Sequence, residues 1–451
     1  MTEKVDVAII GGGPAGMTAA SRIKRVTPKL RVVVFERSNY VSYAPCGIPY
    51  YLGGIVKELD QLVHYPLRVF TEERGIEVYT KTTVTELGTG YLRARNSDGE
   101  KTYEWNKLLI ATGAKPKIPR VDGINLPGVF TLRTLEDGEA AKKYLQNVNT
   151  VAIVGGGYIG LELAENLKNL GKKVHLFELL PQVLPAVDPD VASLIEKELV
   201  SNGVDLHLGE GLKALHGKDK VESLETTKGE YRVEAVFIAT GIAPETSLGD
   251  MIGVERGVTG ALSVDKSMRT NVENVFAAGD VAEAINLVTG KPDWFPLAPV
   301  ANKMGYVAGA TMSGLPAEFP GAVGTSVTRV FSLEIGRTGL TEERARKEGF
   351  EPVSAKITSN SKASYIPGAG QVAVKLIADA KTGRLIGGQI IGKDVLARIN
   401  TLAVLVAMGA QVEDAFFADL GYAPSFAPVW DPLIVAVRVL MGKIRGKDKY
   451  F

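Results

Sequence analysis

The most constraining feature of this 451-residue chain is a motif that occurs twice. Near the N-terminus, the apolar run Val5-Asp-Val-Ala-Ile-Ile10 leads into Gly11-Gly-Gly13-Pro-Ala-Gly16. A helical pattern follows from Met17 to Arg25, and the run Arg31-Val-Val-Val-Phe35 then ends in Glu36. Further along, Val151-Ala-Ile-Val154 leads into Gly155-Gly-Gly157-Tyr-Ile-Gly160, a helical stretch Leu161–Leu170, and Val174-His-Leu-Phe-Glu178. Continuously apolar runs of this length read as strands buried on both faces of a parallel sheet. In each copy the first glycine permits a tight turn. The second lets the backbone approach a pyrophosphate, and the third lets helix and strand pack closely. The free N–H groups at the helix start then face the phosphates. The terminal acid, 25 positions after Gly11 and 23 after Gly155, suits a ribose hydroxyl pair. A single glycine-rich turn is weak evidence; two copies in the same frame specify two dinucleotide sites.

Composition removes several alternatives. Lysine and arginine total 52 against 51 acids, a net charge of +1, so a nucleic-acid binder is not expected. The single cysteine, Cys46, excludes an internal disulfide, a CxxC pair and a multi-cysteine zinc site, and it suits a reducing cytoplasm. The four histidines, His64, His175, His207 and His216, form no metal-binding pattern, so no metal is expected. The N-terminus has no basic region leading into a long apolar one, and no apolar run reaches 18 residues. A cytoplasmic protein without a membrane span is the expectation.

Three further segments order the two sites. Leu108-Leu-Ile-Ala-Thr-Gly113 and Val236-Phe-Ile-Ala-Thr-Gly241 are strands ending in Ala-Thr-Gly, and Asn274-Val-Phe-Ala-Ala-Gly-Asp280 ends in Gly-Asp. This order resembles the pyridine nucleotide-disulfide oxidoreductases. The resemblance implies an α/β fold with two Rossmann-like dinucleotide-binding domains and an α+β C-terminal dimerisation domain. FAD would occupy a domain built from 1–115 and 246–323, NAD(P)H a domain over 116–245, and dimerisation would fall to 324–451. The cofactor contacts it implies are Gly11, Gly13, Gly16, Glu36, Arg37, Ser42, Thr112, Gly113, Gly279, Asp280 and Ala298, with Gly155, Gly157, Tyr158, Ile159, Gly160, Glu162, Glu178 and Gly241 in the second half. Tyr158 resembles the family's gate over the nicotinamide face of the flavin, and Glu162 the acid that shapes that pocket. Glu178 would repel a 2′-phosphate, and Leu179 and Leu180 offer it no arginine, which favours NADH over NADPH; Lys172 and Lys173 nearby would blunt the preference.

Cys46 lies in Tyr40-Val-Ser-Tyr-Ala-Pro-Cys-Gly-Ile-Pro49, where Pro45, Gly47 and Pro49 predict a tight turn. Dithiol members of the family carry C-x4-C; here the residue five positions on is Tyr51. The segment resembles the single-cysteine branch instead: coenzyme A disulfide reductases, persulfide or sulfur reductases, and NADH oxidases and peroxidases. Oxidases and peroxidases usually carry a histidine in the first glycine turn, where this chain has Pro14. Asp419-Leu-Gly-Tyr-Ala-Pro resembles the coenzyme A disulfide and persulfide reductase signature. In that branch Tyr422 and Tyr365 would reach the other subunit's active site and assist thiolate departure. Arg22, Arg25, Ser42, Arg74 and Asn302 match, or neighbour, positions that hold coenzyme A.

The reading is a homodimeric enzyme whose active site is shared between subunits. It would use FAD and NAD(P)H, with NADH preferred, to reduce coenzyme A persulfide, polysulfide or disulfide through Cys46. A low thiolate pKa beside a flavin and a helix N-terminus is expected. The alternatives are an NADH oxidase or peroxidase of the same fold and, less favoured, a flavoprotein serving a protein acceptor. Some members append a sulfur-transferase domain; with a short basic tail from Gly442 to Phe451, none is expected here.

Overall fold

The continuously apolar runs form the middle of two parallel sheets. The computed structural model describes residues 2–445. Thr2–Ile10 pairs in parallel with Val32–Phe35 on one side and Gly99–Ile110 on the other. Every residue of Val32–Phe35 is buried, which is why the strand has no polar alternation. Val275–Ala277 adds in parallel to the end of Gly99–Ile110, so a segment far along the chain completes this sheet. The second sheet has the order Asp205–Leu208, Lys173–Glu178, Thr150–Val154, Ala235–Ile238, Val129–Phe130, all parallel. The chain crosses between the sheets twice, and the crossings Ala114–Pro116 and Ile242–Pro244 pair antiparallel with each other.

Each first strand of a motif feeds a helix. Pro14–Val26 starts with proline, whose fixed φ suits the first turn, and buries Ala15, Met17, Ala19, Ala20 and Ile23. Its small residues admit the helix Ala298–Met312 at close range. A Cβ on Gly305 would lie 2.3 Å from the Ala15 carbonyl oxygen, and one on Gly309 2.7 Å from that of Ala19. Glycine at both points lets the two backbones touch, and this contact brings Ala298 and Asn302 beside the first glycine turn.

The C-terminal part is a five-stranded antiparallel sheet, ordered Ser326–Val330, Leu333–Gly339, Leu385–Gly392, Gln371–Asp379, Pro352–Asn360. Helices Val395–Ala407 and Pro432–Arg445 pack over it. The latter contains the apolar Pro432–Met441 stretch, and no described helix is long and apolar enough to cross a membrane. Of the basic tail, residues 446–451 lie outside the described range. Met408, Phe417, Phe426 and Val429, all in this part of the chain, are each at least 73% exposed.

Candidate active site

The two glycine turns are built alike, atom for atom. Gly11 has φ +109° and Gly155 has φ +113°, a region that favours glycine. A Cβ on Gly11 would lie 2.2 Å from the Ala111 carbonyl oxygen, and one on Gly155 2.3 Å from that of Ala239. Gly16 packs on the Gly11 carbonyl and Gly160 on the Gly155 carbonyl; in both a Cβ would stand 1.9 Å from the oxygen. The middle glycines differ: around a Cβ on Gly13 or Gly157, no protein atom lies within 4 Å. That open side is where a diphosphate fits, directly before helices Pro14–Val26 and Tyr158–Asn169.

The terminal acids brace these turns. Glu36 accepts the Gly12 N–H on Oε2 and the Ser38 N–H on Oε1, both at 2.7 Å. Glu178 accepts the Gly156 N–H on Oε2 at 2.6 Å and the Leu180 N–H on Oε1 at 2.8 Å. The backbone thus fixes each carboxylate at the end of its strand. The expected influence of Lys172 and Lys173 on the second site is corrected here. Lys172 donates to the carbonyls of Leu145 and Val148, and Lys173 is 3.9 Å from Asp205. Lys173 starts the strand that Glu178 ends, so both lysines sit at its far end.

A single cavity of about 1040 Å³ is lined by the first glycine turn, by Cys46 and by a basic, aromatic cluster. Gly11, Gly13, Glu36, Arg37, Thr112, Gly113, Gly279, Asp280 and Ala298 line the first part. Its length, the open face of Gly13 and the half-buried Asp280 fit an extended dinucleotide such as FAD. Burial raises the Asp280 carboxyl, and Arg133, 3.5 Å away, offsets this. The Trp294 indole N–H donates to the Asp280 carbonyl at 2.7 Å. In the second half, Ile159 and Gly241 border a gap of about 20 Å³ with Leu163 and Phe237. The Ile159 side chain belongs to that packing.

Cys46 lies in the cavity wall, on the turn Pro45–Gly47 that runs into the short helix Ile48–Leu52. A Cβ on Gly47 would lie 2.2 Å from Leu62 Cδ2, so a side chain here would have to displace Leu62. Ser42 takes a left-handed φ of 52°, held by its N–H on the Gly12 carbonyl and by the His64 N–H on its own carbonyl. Such strain persists only where neighbours enforce it. The expected low thiolate pKa is corrected. Cys46 is exposed to the cavity, yet the protein mass around it pushes the thiol up. Glu162 adds to the rise, while the turn's own backbone and Arg133 oppose it. The helix that follows has one turn, too short for an effective dipole.

In the basic cluster, the Arg22 guanidinium lies 4.5 Å over the Tyr306 ring. That of Arg74 lies 5.0 Å over Tyr65 and 4.9 Å over Phe70 and donates to Ser21 at 2.8 Å. Arg25, Ser42 and Asn302 line the same region, and Asn302 accepts from Thr18 at 2.9 Å. Stacked cations and rings of this kind suit an anionic ligand carrying a flat base. Arg133, His64, Tyr65, Phe70 and Tyr306 belong to no motif and were not singled out by sequence. The one available signal was local: Tyr65 and Phe70 precede Arg74 within a few residues.

Behind Cys46, the Tyr158 phenol meets the Ser326 hydroxyl at 2.5 Å, and Thr328 Oγ1 donates to Glu162 Oε1 at 2.9 Å. Burial pushes Glu162 up to about 7; the Thr328 hydrogen bond opposes this and Glu165 adds to it. The fold thus favours protonated Glu162, and its cost to stability grows as pH rises from the usual carboxylate range through about 7. Glu162→Gln is expected to match the parent at pH 5 and to be more stable by about 1–3 kcal/mol at pH 8.5. Thermal unfolding at both pH values checks this; an equal shift at each would contradict it. Tyr365 and Tyr422 do not line the cavity. They lie close to each other on the exposed face, and loss of water followed by the neighbouring Tyr365 raises the Tyr422 phenol.

Residues 5–305 match the family model described as pyridine nucleotide-disulphide oxidoreductase, and residues 325–433 match its dimerisation domain. The chain is 47% identical over 440 residues to an NAD(P)H coenzyme A polysulfide/persulfide reductase of Pyrococcus horikoshii, covering 97% of this chain and 98% of that protein. It is 34% identical to an NADH oxidase of Methanocaldococcus jannaschii, over 97% and 99% of the two chains. Among solved structures, it is similar to an NAD-dependent persulfide reductase from A. fulgidus: TM-score 0.94, 35% identity, 99% of this chain and 84% of that one. With both dinucleotide turns, a single cysteine between them and matches across nearly the whole length, the chain belongs to the pyridine nucleotide-disulphide oxidoreductase family.

Proposed function

We infer that the chain is a FAD-containing, NAD(P)H-dependent reductase of coenzyme A persulfides, polysulfides or disulfides. The observation that carries this reading is one cavity lined together by the first dinucleotide turn, by a basic aromatic cluster and by the chain's only sulfhydryl. Residues 1–115 and 246–323 form the FAD unit, 116–245 the NAD(P)H unit and 324–451 the dimerisation unit. Gly11, Gly13, Thr112, Gly113, Gly279, Asp280 and Ala298 would hold FAD together with Arg133. When bound, FAD supplies the two-electron relay between NAD(P)H and the Cys46 sulfur. NADH is preferred because the carboxylate of Glu178 is locked in place with Leu179 and Leu180 beside it.

Arg22, Arg25 and Arg74 hold the phosphates of coenzyme A, with Tyr65, Phe70 and Tyr306 beside its base. The Cys46 sulfur attacks the sulfane or disulfide sulfur, the substrate's S–S bond breaks, and coenzyme A leaves as the thiolate. Because the chain's own groups raise the Cys46 thiol, substrate and cofactor must share in forming the thiolate. A phenol, Tyr365 or Tyr422 from a second copy of the chain, hands its proton to the leaving thiolate. A second copy docked through the C-terminal part would cover apolar side chains such as Met408, Phe417, Phe426 and Val429, and would offer its phenols to a cavity that they do not line within one chain. Two electrons from NAD(P)H then release hydrosulfide, or the second thiol, from Cys46.

The NADH oxidase of Methanocaldococcus jannaschii keeps oxygen reduction as the second reading. Rates of NADH oxidation with coenzyme A persulfide, coenzyme A disulfide, polysulfide and oxygen, on one enzyme batch, test the proposal. A sulfur acceptor is expected to exceed oxygen by at least tenfold in kcat/KM, a difference of ~1.4 kcal/mol in the barrier. Oxygen as the fastest acceptor would overturn it.

A further inference from the structure

The dinucleotide motifs account for the helix Tyr158–Asn169, but not for the strand laid against it. Ser326–Val330 is an edge strand of the C-terminal sheet, remote in sequence from that helix. Alternation along a strand puts Ser326 and Thr328 on one face. Ser326 meets the Tyr158 phenol at 2.5 Å and Thr328 meets Glu162 at 2.9 Å. Tyr158 and Glu162 are four residues apart on one helix face, about 6 Å along the axis. Ser326 and Thr328 are two residues apart on the strand, about 6.8 Å. The spacings match, so the two hydroxyls dock on the two helix side chains in register. Arg329 adds a third contact, 3.4 Å from Glu165 on the same helix. Thr328 is buried, and Arg337, the cross-strand partner of Ser326, presents its charge to the same phenol.

Tyr158 directly follows Gly157, whose open face marks the second dinucleotide site. Glu162, one turn on, is within electrostatic reach of Cys46. The phenol is thus carried by the residue directly after the second glycine turn, on a helix face whose next member, Glu162, acts on the redox sulfur. We propose that Ser326 is a positioning residue for the nicotinamide site: its hydroxyl latches Tyr158 in the closed position, so that the C-terminal sheet sets the free-energy cost of admitting the ring. This rests on the reading of Gly155–Gly160 as the NAD(P)H turn. Opening must break the Tyr158–Ser326 hydrogen bond. The apparent affinity for the nucleotide is lowered by the fraction of chains that are closed.

The test is the equilibrium Kd of NAD⁺ on the FAD-loaded enzyme, titrated by flavin fluorescence without any sulfur substrate. Ser326→Ala is expected to lower Kd roughly threefold to tenfold, the range for losing one hydrogen bond of the closed state. Tyr158→Phe removes the same bond and should lower Kd by a similar factor. Adding Ser326→Ala to Tyr158→Phe should then change nothing further, because the two act as one unit. Ser326→Thr keeps the hydroxyl and should keep the parent Kd. An unchanged or raised Kd in Ser326→Ala, or full additivity of the two changes, would overturn the proposal. Parent NAD⁺ binding, seen in the same titration, tests the underlying site assignment separately. A different electron acceptor would leave the Kd comparison untouched.

Discussion

Cys46→Ser is expected to abolish reduction of coenzyme A persulfides and disulfides, by about 10³-fold or more, as loss of a catalytic nucleophile does. FAD content and the rate at which NADH bleaches the flavin should stay within a few-fold of the parent. The reason for the split is spatial. Cys46 lies on a turn in the wall of the cavity, and serine preserves that turn because its geometry comes from Pro45 and from Gly47 against Leu62. The glycine turns and Asp280, which are proposed to hold the nucleotides, are untouched. Cys46 is also the chain's only cysteine, so no neighbouring sulfur can take over the attack. Stopped-flow absorbance separates the two half-reactions. A serine variant that keeps most of its sulfur turnover would remove Cys46 from the mechanism.

The second large effect is expected at the glycines, and it differs by position. Gly13→Val and Gly157→Val should fold, because a side chain at either position meets no protein atom within 4 Å and φ is −79° at both. Gly13→Val should leave the chain without FAD. Gly157→Val should retain FAD and lose NADH, with KM rising on the order of 10²-fold, since a branched side chain would fill the space a diphosphate needs. Gly155→Ala should behave differently. Its Cβ would sit 2.3 Å from the Ala239 carbonyl at φ +113°, and the combined overlap and backbone strain cost about 2–5 kcal/mol. That variant loses stability before it loses a ligand. Bound-flavin absorbance, NAD⁺ titration and thermal unfolding distinguish the three. A Gly157→Val enzyme with unchanged KM for NADH would contradict the placement of the second site.

The parts of this fold that were legible in the sequence are those whose physics is local. A turn that needs φ near +110° needs glycine, and the strand before it and acid after it lie within one βαβ unit. The two copies therefore announced themselves, and Glu36 and Glu178 prove to brace the turns through matching hydrogen bonds. Residues assembled from distant segments were not legible. Arg133 reaches Asp280 across 147 positions, and Ser326 reaches Tyr158 across 168. The basic cluster needs three segments at once: helix Pro14–Val26 for Arg22, Ala298–Met312 for Tyr306, and the loop around Tyr65 and Arg74.

Two expectations failed for the same reason, that adjacency in sequence says little about direction or burial. Lys172 and Lys173 are six and five positions from Glu178, yet they stand at the opposite end of its strand. Cys46 precedes a helix start, but that helix is a single turn and the crowded wall around the thiol outweighs it. The two tyrosines, 57 positions apart, do come together, though on an exposed face outside the cavity that Cys46 lines.

The central claim is that one sulfur in each chain forms its disulfide with the substrate. Intact-mass measurement of the oxidised enzyme after exposure to coenzyme A disulfide, without reductant, tests it directly. The account predicts an added mass of one coenzyme A per chain, absent from Cys46→Ser and removed by NADH. Full turnover with no such adduct, or an adduct that survives in Cys46→Ser, would contradict it.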